Sequence, residues 1–251
     1  MITSKSNSQY KRIKKLLTSS KARSREGRFV VEGERIVKEA PLELMDFICV
    51  SESYAEGKKL PSFAQVFSDD VFRSLSDTVT PQGILAVIKQ PSCSLEKIIS
   101  DAEGTKALYL LLDDIRDPGN LGTIIRTAEA AGVSGVIMSK GCADIFNPKV
   151  IRSTMGSIYR VPFTESPLKE AALKLKESGA SVYAAAAAAE VFYNEVDYGE
   201  KNAFVIGNEA HGISGEVLDC ADVKIKIPMA GEVESLNAAI SAAIIMYGIK
   251  Q

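Results

Sequence analysis

The sequence predicts an α/β protein whose larger part is a mostly parallel sheet with helices on both faces, preceded by a smaller α/β unit. Three observations carry that reading. Residues 107–112 (Ala-Leu-Tyr-Leu-Leu-Leu) and 202–206 (Asn-Ala-Phe-Val-Ile) are nearly unbroken apolar runs, the pattern of strands buried on both faces. Such runs alternate with helix-patterned stretches through most of the chain, the rhythm of β-α-β units. Residues 89–94 (Lys-Gln-Pro-Ser-Cys-Ser) form a polar, proline-containing break that divides the chain into 1–90 and 91–251.

Composition bounds the class. A chain of 251 residues, 46% hydrophobic and 25% charged, has ample core for one large or two small domains. It has no apolar stretch long enough to span a membrane and no apolar segment behind its basic, polar start, so neither a membrane partner nor a secretory signal is expected. Cys49, Cys93, Cys142 and Cys220 are widely spaced, and His211 is the sole histidine. That excludes the spacing of a metal site and argues against a disulfide scaffold. Reduced thiols in the cytoplasm are the expectation.

Charge is uneven. Residues 1–28 hold nine of the 30 Lys and Arg residues but, among the 32 acidic ones, Glu26 alone. A basic arm on an acidic body is a footprint of nucleic-acid binding, or else a solvated helix face. Ile13, Leu16 and Leu17 stand at helical spacing within it, which predicts a docked helix. Strands then follow at 29–31, 47–50, 66–67 and 84–88. Helices are expected from Glu32–Glu34 to about 40, near 54–58, and over 69–75 with Asp69 or Asp70 as cap.

In the second part, strands are read at 107–112, 135–138, 160–163, from 180 into the alanine run 184–189, at 202–206 and at 223–227. Helices are read at 121–131, 148–156 and 167–178. Alanine favours helix, but the run's place after Gly179 argues for a strand. The C-terminal helix, made mostly of Ala, Ile, Ser and Met and capped by Ser235 or a neighbour, should be buried on nearly every side.

Three loops follow apolar strands at the expected carboxyl edge of the sheet, where open α/β sheets bind ligands. The first is Asn120-Leu-Gly122-Thr-Ile-Ile-Arg126, where Asn120 can cap a helix and Arg126, one turn in, can point back to its start. The second is Val205-Ile-Gly207-Asn-Glu209-Ala-His-Gly212, whose glycines let backbone approach a flat ligand. The third runs from Ile227-Pro-Met229-Ala-Gly231 to Ser235-Leu236-Asn237. Neither a dinucleotide glycine fingerprint nor a phosphate-loop lysine is present.

On these three motifs the chain, from about residue 110 to 249, resembles the SpoU-type (TrmH-type) RNA ribose 2′-O-methyltransferases of the SPOUT superfamily. The basic start and Phe29-Val-Val-Glu-Gly-Glu34 look like the small RNA-binding domain that many members carry. The resemblance implies a C-terminal trefoil knot, a homodimer and S-adenosylmethionine as cofactor, with no metal. It implies that Gly207, Ile227, Met229 and Leu236 line the cofactor site, and that Asn120, Arg126, Glu209, Ser235 and Asn237 form the catalytic polar cluster. Arg126 is either the proton acceptor or, more easily for a guanidinium, the group that binds phosphate and stabilises charge on the 2′-oxygen. His211 reads as a solvated histidine or a base, and Arg152 and Ser153 as an RNA contact or an exposed helix face. The substrate implied is RNA, with ribosomal RNA favoured over tRNA. The alternative from another class is a non-catalytic RNA-binding protein on the same fold.

Overall fold

The computed structural model describes residues 1–76, 78–233 and 235–249. The chain forms two compact units, one of residues 1–91 with 146–159, the other of 92–145 with the chain from Arg160 onward.

The first unit opens with α1 (Ser8–Thr18) and α2 (Ser20–Glu26). Then come β1 (Arg28–Glu32), α3 (Glu34–Glu39), β2 (Met45–Ser51), α4 (Glu52–Ala55), β3 (Ala64–Phe67), α5 (Asp69–Arg73) and β4 (Ile84–Lys89). The strand order is β1-β4-β2-β3, with β4 antiparallel to β1 and β2, and β2 parallel to β3. The cap position of α5 is Ser68, one residue before the expected Asp69.

The basic arm is built into this unit. Tyr10, Ile13, Leu16 and Leu17 on α1 pack with Val30, Phe47, Cys49 and Phe67. Asn7 and Ser19 cap α1 and α2, and Gly27 ends α2 at φ 60°, a left-handed conformation that glycine adopts freely. Several of the arm's cations are spent internally. Arg12 pairs with Glu26 at 2.8 Å and Asp46 at 3.0 Å, and the buried Arg23 donates to the Leu16 carbonyl at 2.7 Å. Lys11, Lys15, Lys21 and Arg25 are exposed.

The rest of the chain runs α6 (Leu95–Asp101), β5 (Ala107–Leu112), α7 (Pro118–Ala130), β6 (Gly135–Met138), α8 (Pro148–Thr154), β7 (Phe163–Glu165), α9 (Leu168–Glu177), β8 (Ser181–Ala185), β9 (Val191–Phe192), β10 (Lys201–Ile206), α10 (Gly215–Leu218), β11 (Val223–Lys226) and α11 (Ala238–Gly248). Helix α8 belongs to the first unit, where Phe146 lies against Phe29 with ring centroids 4.9 Å apart and Tyr159 donates to the Ile36 carbonyl at 3.3 Å. The boundary near residue 90 is therefore joined by two further crossings of the chain between units.

The second unit holds a seven-stranded sheet, ordered β7-β6-β5-β10-β8-β11-β9, with each pair parallel. On one face Tyr109, Leu111, Ile137, Val182 and Val205 pack against Ile98, Ala171, Leu175 and Val217. The alanine run begins as strand because Tyr183 and Ala184 pair with Phe204 and Val205, so the ladder overrides intrinsic propensity. The sheet sets β5, β10, β8 and β11 side by side, and this places the loops after β5, β10 and β11 at one edge. Helix α11 packs on α7 and β10. It buries Ala238, Ala239, Ala242, Ile245 and Met246 but leaves Ile240 50% and Tyr247 60% exposed, so its expected burial on nearly every side holds for one face.

Candidate active site

Helix α7 begins earlier than expected, and this changes what Asn120 does. Asp117 is the cap, its Oδ1 accepting from the Asn120 N–H at 2.8 Å, and Pro118 fills the first helical position. The Asn120 side chain is thereby left free to reach outward. Its Nδ2 donates to Glu209 Oε1, and its Oδ1 accepts from Asn237 Nδ2 at 2.9 Å.

Asn237, and not Ser235, caps α11. Its Oδ1 accepts from the N–H groups of Ala239 and Ile240 at 2.9 and 3.3 Å. Capping fixes which end of the amide accepts, so Nδ2 must face Asn120. A relay results, from the first turn of α11 through Asn237 and Asn120 to the Glu209 carboxylate. One residue from each of the three loops takes part.

The loop after β10 is closed on itself. Asn208 and Gly212 exchange backbone hydrogen bonds of 3.0 and 2.8 Å. A Cβ on Gly207 would lie 2.3 Å from the Gly212 carbonyl carbon, so this position admits only glycine without opening the turn. The Asn208 side chain accepts from the N–H groups of Ala210 (2.8 Å) and His211 (3.3 Å) and donates to the Asp114 carbonyl (2.8 Å). Buried Asp113 accepts from Ser214 N–H at 2.8 Å. Sequence reasoning passed over Asn208, Asp113 and Asp117. The signal for Asn208 was available, since Asn before a polar turn bonds to backbone two residues on.

Arg126 and Ser235 stand apart from the relay. Arg126 is the ninth residue of α7, about 12 Å along the axis from its start, not one turn in. It shares a stripe with Gly119 and Thr123, about a third of a turn around the helix from Asn120. Arg126 and Ser235 are exposed, with no hydrogen-bond or ion-pair partner among the described residues. His211 is also exposed. Arg152 and Ser153 lie on α8 in the first unit, with Ser153 bonded to the Lys149 carbonyl. In the third loop Ile227 and Leu236 are half-buried and Met229 is 37% exposed, beside the buried Ile225 and Ala238. Glu234 of the same loop lies outside the described residues.

Residues 107–247 match the SpoU rRNA Methylase family, and residues 7–86 match the MRM3-like substrate binding domain. The chain belongs to the SpoU rRNA methylase family. It is 36% identical, over 99% of its own length and 98% of the other's, to the 23S rRNA (guanosine(2553)-2′-O)-methyltransferase RlmP of Bacillus subtilis. An AdoMet-bound rRNA methyltransferase from Sinorhizobium meliloti superposes with a TM-score of 0.86 at 28% identity, covering 98% of this chain and 95% of that one. A putative RNA methyltransferase of the TrmH family from Porphyromonas gingivalis gives 0.82 at 31% identity, covering 96% and 97%. This SpoU-family chain has apolar side chains half-exposed on the β11–α11 loop, Ile227, Met229 and Leu236, and on the loop after β10 a backbone turn at Gly207 too tight for a side chain. Such a surface fits a flat, largely apolar adenosine group. No cluster of residues able to hold a metal occurs among the described residues.

Proposed function

We propose that this protein methylates a ribose 2′-hydroxyl of ribosomal RNA, using S-adenosylmethionine, and that it works as a homodimer. The observation that carries the reading is the Asn237–Asn120–Glu209 relay, which ties together the three loops at the carboxyl edge of the sheet. When bound, S-adenosylmethionine supplies an electrophilic methyl group on a sulfonium. Gly207, Ile227, Met229 and Leu236 would hold it. The chain's own task is then to set a 2′-oxygen in line with that methyl group and to exclude other geometries.

Glu209, Asn120 and Asn237 hold the loops in one arrangement, and Ser235 adds an exposed hydroxyl on the same loop as Asn237. Arg126 presents an exposed guanidinium to solvent, with no ion-pair partner among the described residues, suited to an RNA phosphate and to negative charge developing on the 2′-oxygen. A guanidinium carries only N–H donors and holds its protons firmly, which makes it a poor proton acceptor. The exposed Lys11, Lys15, Lys21 and Arg25 of the first unit supply cations for further phosphates.

Ile240 and Tyr247, seven residues apart on one face of α11, form the apolar surface that a second copy would cover. The trefoil knot belongs to the same reading. β10 lies between β5 and β8, and after β11 the chain comes back to pack α11 on α7. The cytoplasm is the compartment assigned, and no described helix is long and apolar enough to cross a membrane.

The test is methyl transfer from labelled S-adenosylmethionine to RNA by wild type, Asn120→Ala and Arg126→Ala. Each variant should lose on the order of 10²-fold in rate with its circular dichroism unchanged. Wild-type rates in either variant would remove that residue from the reaction.

A further inference from the structure

The relay leaves one question open: what holds Glu209 in place, since its residue sits at the tip of an exposed turn. We infer that Asn208 is a positioning residue for the transfer reaction, acting through Glu209, and that it locks the Glu209 turn to the loop that leads into α7. The inference rests on the proposed role of Glu209.

Three sets of bonds support it. The backbone of Asn208 closes the turn by exchanging hydrogen bonds with Gly212. Its side-chain oxygen accepts from Ala210 and His211 N–H, so the two residues that follow Glu209 are held from inside the turn. Its Nδ2 donates to the Asp114 carbonyl at 2.8 Å, across to the β5–α7 loop. That loop is itself pinned. Asp114 has φ 61°, rare for a residue other than glycine, and its N–H donates to Ser139 Oγ at 2.9 Å. Three residues further on, Asp117 caps the helix that carries Asn120. Asn208 therefore touches both sides of the Asn120–Glu209 bond, through the backbone that carries each partner. At the far side of the turn, Asp113 holds Ser214 N–H. With both ends of the loop anchored, the Glu209 carboxylate meets Asn120 with little freedom to lose on binding substrate.

Asparagine is required at 208 for a stateable reason. Aspartate could accept the two turn N–H groups but could not donate to the Asp114 carbonyl. Alanine would do neither.

The experiment is a double-mutant cycle on the full-length protein, with Asn208→Ala, Asn208→Asp, Glu209→Gln and the Asn208→Ala/Glu209→Gln pair. Steady-state methyl transfer to RNA is measured alongside the affinity for S-adenosylhomocysteine and thermal melting. Asn208→Ala should lower kcat by roughly 10- to 100-fold, the scale of a small misplacement of a reacting group. Asn208→Asp should recover melting temperature but not kcat, because it restores the turn without the bridge. The double variant should be no slower than the slower single variant. Additive losses, or recovery of kcat by Asn208→Asp, would overturn the inference while leaving the role of Glu209 intact. An unimpaired Glu209→Gln would overturn both.

Discussion

Asn237 performs two tasks with one amide, and the two can be separated. Its oxygen caps α11 and its nitrogen meets Asn120. Asn237→Asp keeps the cap but cannot donate, so the melting temperature should stay near wild type while methyl transfer falls. Asn237→Ala loses both, with about 1 kcal/mol of stability gone as well. Equal activity in wild type and Asn237→Asp, read by labelled methyl transfer, would take the Asn120 bond out of the account. At this scale the residue types of the site could be read from the sequence, but their jobs could not. Asn120 looked like a cap because asparagine commonly is one. Asp117-Pro118 starts the helix first, and a cap is decided by where the backbone turns, not by which candidate is present. The same shift of three residues moved Arg126 from one turn into α7 to more than two.

At the scale of elements, the basic arm divides into a structural and a surface part. Removing residues 1–28 would strip Ile13, Leu16 and Leu17 from the core of the first unit, so a lost affinity would report unfolding. Replacing Lys11, Lys15, Lys21 and Arg25 with glutamine avoids this. RNA affinity should drop, and the slope of log affinity against log salt should flatten by about 3 if all four meet phosphates. An unchanged slope would make these four cations solvated surface. The apolar periodicity that announced α1 and the strands was reliable where runs were long. It failed for β9, whose two residues carry no period, and for α6, which follows a polar segment that read as linker. Helix α8 was found in the sequence, but its membership of the first unit was not, because the strand it packs on, β1, lies more than a hundred positions away.

At the scale of the whole molecule, the alternation of strand and helix sufficed for a parallel sheet, and the sheet order explains why three distant motifs meet at one edge. The exposed pair on α11 makes the assembly testable. Ile240→Glu with Tyr247→Glu should give a monomer by light scattering and abolish transfer, while the circular dichroism of the fold persists. A variant still dimeric and active would place the subunit contact elsewhere. The reaction is defined by the atom that receives the methyl group. The most direct measurement is transfer from labelled S-adenosylmethionine to total RNA from a strain lacking this protein, with the RNA digested and its nucleosides read by mass spectrometry. Label is expected on a 2′-O-methylnucleoside that maps to one site in ribosomal RNA. Label on a base, or no transfer by a protein that does not bind the cofactor, would contradict it.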